Sequence, residues 1–354
     1  GMGLEEAAAG ATFGASAGGL AALILIYILF FFSRRNIKRE IANSTGNKIE
    51  PVGHIVKNLL YIAIPITIGA SIAPLMGIMD SYIVSNRLTS IGYSSVEIAD
   101  LFGELSGTAQ TLINFPQVFS TAVAMSLVPA ITDAYTRKHI KRLNVTANAG
   151  VKMSLIIGLP CGIGLFMLAE PIIALLYSSI GPAKHASSGA LLEILSIGVI
   201  FLTLVQAFTA ILQSIDKQFH PVKNLAIGLI VKVILSYILI GIPRINIKGA
   251  AVSTTVAYFV VALLNWRDIN KTKIKINIIK VSSRTLLSSA VMALAVAISF
   301  VALNRVLSQS LATLGSISIA AIVYLVCLLL TGAVTEDDLE LIPKGEKLKK
   351  FVRK

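Results

Sequence analysis

The feature that most constrains this chain is where its charge is not. Nine long runs, at residues 7–32, 59–79, 105–132, 153–169, 194–215, 224–242, 249–266, 285–304 and 306–335, are almost free of charge and alternate with short charged gaps. Each approaches or exceeds the ~20 residues that a helix needs to cross a hydrocarbon core, where a helix satisfies its own backbone. The fourth run is short and borrows length from 145–152, and the sixth is interrupted by Lys232. An all-α polytopic membrane protein with about nine spans is therefore expected. A charged content of 14%, against about 25% in soluble domains, excludes a water-soluble globule.

The gaps are not alike. Lys and Arg number six over 34–57, five over 137–152, two at Lys217 and Lys223, six over 267–284 and six from Lys344 onward, all in alternate gaps. The opposite gaps hold Arg87, Lys184, Arg244, Lys248 and Arg305. By the positive-inside bias the first set is cytoplasmic, which puts the amino end outside and the carboxyl end inside. The formal charge of +13 is then a topology signal facing anionic lipids, not a nucleic-acid footprint. Cys161 and Cys327 lie in separate apolar runs without a CxxC partner, as packing residues do.

An amino end outside is unusual when residues 1–6 carry two acids and no basic signal region. It suggests a chain that continues a longer protein whose preceding helices are odd in number. An internal similarity points the same way. GATFGASAGGL at 10–20 and GAAVSTTVAYF at 249–259 both open spans with small residues, six spans apart and in matching orientation. Small residues let helices approach in lipid, and such spacing suits parallel repeats about an axis along the membrane normal; two ordinary packing faces would look the same.

Several stretches resemble a known family. They are GATFG at 10–14, IPITIGASIAPL at 64–75 with IMDS at 78–81, GTAQTLINFPQVF at 107–119 with SLVPAI at 126–131, KVILSYILI at 232–240, IKGAA at 247–251 and TEDDLELIPKG at 335–345. Over the whole chain the sequence resembles the stage V sporulation protein B-like branch of the polysaccharide and lipid-linked-sugar flippases, within the multidrug/oligosaccharidyl-lipid/polysaccharide (MOP) exporter superfamily. The resemblance implies a lipid II flippase-like or MATE-like fold of two six-helix lobes plus two helices. Residues 1–33 then correspond to the last helix of a truncated first lobe, 34–58 to a cytoplasmic linker, 59–270 to the second lobe, 271–335 to the two additional helices and 336–354 to a basic tail. The first lobe's charged cavity residues would lie in the absent helices.

Polar groups within spans are costly and commonly face a bundle interior or an aqueous cavity. Asp80 and Arg87 are seven residues apart, nearly two turns, and share a face. Arg87 suits a pyrophosphate or sugar acid through bidentate geometry, or it snorkels at the interface beside a capping Asp80. Pro65, Gly69 and Pro74 loosen the same helix; they are packing kinks or, as the resemblance implies, bending points of a gating helix. Gln110, Asn114, Gln117 and Thr121 form one stripe at i, i+4, i+7 and i+11, and Thr203, Gln206 and Gln213 a thinner one. Either stripe suits sugar hydroxyls and water, or interhelical hydrogen bonds. Lys232 lies too deep to snorkel and is a counter-charge for an anionic lipid head or a partner for Asp80.

His54, His139, His185 and His220 occur singly without metal-ligand spacing, and no phosphate loop or nucleophile elbow is present. No metal or cofactor, no catalytic residue and no nucleic-acid partner is expected. The chain reads as a flippase or exporter, not an enzyme. By resemblance it moves undecaprenyl pyrophosphate-linked sugars across a bacterial cytoplasmic membrane by alternating access, for peptidoglycan or spore cortex, with anionic lipids and cell-wall synthases as further partners. A multidrug antiporter of the same superfamily is the nearer rival. A polyprenyl-linked sugar polymerase is the more distant one, because the longest outside gap, 86–104, is too short for a catalytic loop.

Overall fold

A computed structural model describes residues 4–43 and 51–333. Part of the 34–58 linker, the 335–345 motif and the 336–354 tail lie outside the described residues. All regular structure among the described residues is helical. In chain order it comprises α1 (Leu4–Asn43), α2 (Val52–Ser90), α3 (Ser95–Gly103), a π turn (Glu104–Ala109), α4 (Gln110–Thr136), α5 (Ile140–Met167) and α6 (Ala169–Leu176). A 3₁₀ turn (Ser178–Ile180), α7 (Pro182–Ser214), α8 (Phe219–Ile240), α9 (Lys248–Asn270), α10 (Ile278–Leu303) and α11 (Gln309–Leu330) follow. Nine helices among the described residues are long and apolar enough to cross a membrane.

Two elements differ from the sequence reading. The apparent outside gap 86–104 shrinks to four residues, because α2 runs on to Ser90 and α3 starts at Ser95 and continues through the π turn into α4. The start is set by a capping box in which Ser94 and Glu97 each bond the other's backbone N–H, satisfying two first-turn donors that hydropathy does not register. The fourth run gains length at its basic end, where α5 starts at Ile140, and it is followed by the separate short helix α6, with Glu170 in its first turn.

The chain divides into two compact units, Gly1–Leu59 and Leu60–Lys354. The first holds α1 and the beginning of α2. The second is built around α7, which packs against α4, α5 and α9; α8 lies on α9, and α10 pairs with α11 and leans on α5. Lipid offers no hydrophobic drive for helix association, so close contact must come from small side chains. A Cβ on Gly162 of α5 would sit 2.9 Å from the Ser196 carbonyl oxygen of α7, and one on Gly249 of α9 would sit 2.8 Å from the Ile240 nitrogen of α8. Buried clusters lie toward opposite ends of the bundle, one containing Leu143, Phe208, Ile215 and Ile269, the other Leu88, Ile113, Leu191 and Ile247. Outward-facing Tyr82, Phe115, Met125, Leu294 and Ile298 are each at least 65% exposed. So much bare apolar surface is a liability in water and the normal state in lipid.

Candidate functional site

Three helices converge on the deepest charges of the second unit. Lys232 of α8 donates from Nζ to Asp80 Oδ2 of α2 at 2.6 Å, and the two side chains are 3% and 7% exposed. The position of Lys232 follows from its stripe: Asn224, Gly228, Lys232, Ser236 and Ile240 recur every fourth residue and are all buried. One turn on, the Ser236 and Ser253 hydroxyls meet at 2.5 Å and tie α8 to α9. An isolated ammonium or carboxylate here would be strongly disfavoured; as a hydrogen-bonded pair each neutralises the other.

Arg87 does share a face with Asp80, and that face lies along α8. Its Nε donates to the Tyr237 carbonyl at 3.0 Å, its guanidinium carbon sits 4.3 Å above the Tyr237 ring centre, and its tip rests against Gly241. Tyr237 belongs to the last turn of α8, whose carbonyls have no intrahelical partner and carry negative partial charge. The guanidinium thus clamps that helix end. With Gly69 closest to Val222, Asp80 at Lys232 and Arg87 at Tyr237, α2 and α8 run in the same direction.

The α4 stripe lies on one helix, as its spacing requires. Asn114 is exposed, and Gln110 and Gln117 are half-buried. Thr121 donates to the Gln117 carbonyl at 2.9 Å, but no hydrogen bond links the three amide side chains to another helix among the described residues. Gln206 and Gln213 are half-buried on α7 and likewise make no side-chain bond there, while Thr203 donates to its own helix at Ile200. Pro65, Gly69 and Pro74 lie within an α2 that stays helical from end to end; Pro65 is buried and Pro74 exposed.

A family model described as lipid II flippase MurJ matches residues 3–325. The chain belongs to the MurJ family. Among curated relatives, it is 27% identical to the uncharacterized membrane protein YabM of Bacillus subtilis, over 100% of this chain and 65% of that protein. It is 25% identical to stage V sporulation protein B of the same organism, over 96% of this chain and 64% of that protein. The chain therefore spans just under two thirds of the length of these relatives. A lipid II flippase MurJ in an inward closed conformation superposes with a TM-score of 0.61 at 21% identity, covering 86% of this chain and 59% of that one. A MATE transporter in the bent conformation follows at 0.53 and 16%, covering 82% and 68%. The all-α membrane fold expected from the sequence, like that of the MurJ and MATE structures, is the fold observed.

Two polar features of this MurJ-family chain escaped the sequence reading. Toward the basic ends of α8 and α9, Asp268 accepts from Asn224 Nδ2 at 3.0 Å and Lys271 Nζ at 3.2 Å, and faces His220 Nδ1 at 3.2 Å. Asn224 also bonds buried Asn265 at 2.8 Å. The signal was present, since His220 and Asn224 are four apart and Asn265 and Asp268 three apart, but the pairing appears only when the two helices face each other. His220 is thus not solitary. The other feature is Glu104, which closes the stretch 86–104 taken from the sequence as an outside gap. It is 7% exposed at the head of the π turn, and its Oε2 has no hydrogen-bond partner among the described residues. Sequence periodicity gives no warning of a π turn, which inserts one residue into the helical repeat.

Proposed function

We propose that this chain works in a flippase that moves lipid-linked cell-wall or polysaccharide precursors across the cytoplasmic membrane of a bacterium, with peptidoglycan or spore-cortex intermediates as its substrate class. The observation that carries this reading is the buried Lys232–Asp80 pair at the junction of α2, α8 and α9. An anionic diphosphate head entering this region competes with the Asp80 carboxylate for the Lys232 ammonium, so the pair is a charge relay between an empty and a loaded lobe. The unpartnered amides of Gln110, Asn114 and Gln117 supply donors and acceptors for sugar hydroxyls, and Gln206 and Gln213 extend that capacity. Pro65, Gly69 and Pro74 allow α2 to bend as the lobe, residues 59–270, rocks with α10 and α11 attached. The family match and the likeness to stage V sporulation protein B support the substrate class. The Lys and Arg distribution supports an inside carboxyl end.

A cation-exporting reading would rest on Glu104, whose Oε2 is uncommitted among the described residues, because Asp80 is engaged by Lys232. The deciding experiment reconstitutes this chain as part of a two-lobe protein of its curated relatives' length in proteoliposomes, and follows fluorescent undecaprenyl-diphosphate-linked sugar and, separately, a lipophilic drug cation; this chain alone is expected to move neither. Protein-dependent movement of the sugar lipid alone is expected. Movement of the drug cation alone would overturn the assignment.

A further inference from the structure

At the basic end of the second unit a cavity of about 540 Å³ is bounded by Tyr135 and Thr136 of α4, Lys138, Ile140 and Leu143 around the start of α5, Ile215 and Lys217 after α7, and Thr272, Lys273 and Ile274 after α9. That volume lies within the range of small-molecule sites, roughly 300–1,000 Å³. Its floor is apolar, with Leu143, Ile215 and Ile274 no more than 3% exposed. Its rim is cationic: the ammonium groups of Lys138, Lys217 and Lys273 have no hydrogen-bond or ion-pair partner among the described residues.

Two further observations make this a built site. First, α5 begins here and its amino end carries no side-chain cap, so a 28-residue helix points unsatisfied N–H groups and its positive end at the rim. Second, the wall bearing Lys273 is held in place. Asn144 of α5 donates to the Lys273 carbonyl at 3.2 Å and accepts from the Lys275 N–H at 2.7 Å; Asn148, one turn on, donates to the Lys275 carbonyl at 2.9 Å. Side-chain amides thus fasten the irregular segment between α9 and α10 to α5 as a neighbouring strand would. The carboxyl ends of α4, α7 and α9 bring partial negative charge, but three full positive charges exceed it. Asp133 is already engaged by Arg137 at 2.6 Å and Arg142 at 3.6 Å.

We infer that this cavity binds a phosphate group, with Lys138, Lys217 and Lys273 around the anion and the Leu143, Ile215 and Ile274 floor against the apolar part of its carrier. The carrier is a membrane phospholipid or a soluble polyphosphate. The site is distinct from the Lys232–Asp80 region and does not depend on which substrate the protein transports.

The chain is reconstituted in nanodiscs of phosphatidylcholine, with or without phosphatidylglycerol, and bound lipid is read by native mass spectrometry. Inorganic pyrophosphate is titrated in the phosphatidylcholine discs. Lys138→Gln/Lys217→Gln/Lys273→Gln is compared with Lys141→Gln/Lys223→Gln/Arg267→Gln, which removes the same charge from exposed positions outside the cavity. The cavity triple is expected to weaken one of the two ligands on the order of a hundredfold, from about a fivefold loss per lysine, while the control triple changes it little; the affected ligand names the carrier. Ile140→Trp retains every lysine and fills the mouth of the cavity, and it should lose binding too, which separates occupancy from general charge. Equal binding in the two triples, or binding of neither ligand by the unaltered chain, overturns the proposal.

Discussion

Lys232 and Asp80, 152 residues apart, meet at 2.6 Å with both side chains nearly closed to solvent. Removing either partner alone leaves an uncompensated charge in a low-dielectric site, a loss of about 3–5 kcal/mol. Lys232→Met and Asp80→Asn should each lower membrane abundance and thermal stability. The double variant should recover most of the stability. If the pair only holds helices together, transport returns with abundance; if Lys232 meets the substrate's phosphate, the double variant is well folded and inactive. The ratio of transport to protein level in the double variant decides between them, and the inactive, stable outcome is expected.

Arg87 should behave as a helix-end clamp. Losing its hydrogen bond to the Tyr237 carbonyl and its position over the Tyr237 ring should destabilise the bundle by about 1–2 kcal/mol in Arg87→Ala. Arg87→Lys keeps the charge, loses the fork and should fall between. Thermal unfolding in detergent, followed by tryptophan fluorescence at Trp266, orders the three proteins; an Arg87→Ala as stable as the parent would return Arg87 to the candidates for substrate contact.

Two glycines on α5 make a matched pair. Gly162 faces the Ser196 carbonyl of α7 at a distance no Cβ tolerates, whereas nothing lies within 4 Å of a Cβ built on Gly164. Gly162→Leu should abolish recovery of folded protein, and Gly164→Leu should be recovered at near-parental yield, judged by monodispersity in size-exclusion chromatography.

Orientation is checked by labelling. A cysteine replacing exposed Lys141, at the basic end, should be protected from an impermeant maleimide in intact cells, while one replacing exposed Val96, at the opposite end, should react. Reaction at 141 with protection at 96 reverses the topology. Asn144 and Asn270 are poor labelling positions, since both hold the segment after α9.

Much of the architecture was legible because lipid enforces it: a run long enough to cross and a basic gap to stop it are properties of composition alone. The prominence of Lys232 and Asp80 was legible for the same reason, as charge in an apolar run is rare. Their distance was not, because it depends on α2 and α8 lying side by side. Arg87 shows the limit of reading residue chemistry without neighbours. Its fork suits a phosphate, but in the fold it serves a helix end that no pattern in the sequence marks. Glu104 was misplaced for a different reason: two capping residues started a helix where charge density suggested a loop.

The amide fastening of residues 273–277 to α5 has a mechanical meaning. Because Asn144 and Asn148 grip the segment at successive peptide groups, α10 has no slack with which to swing independently of α5. Any large displacement in a transport cycle must then carry α5, α10 and α11 as one rigid piece. Spin labels on α5 and α10 would give a fixed internal ruler against which motion elsewhere in the protein can be measured.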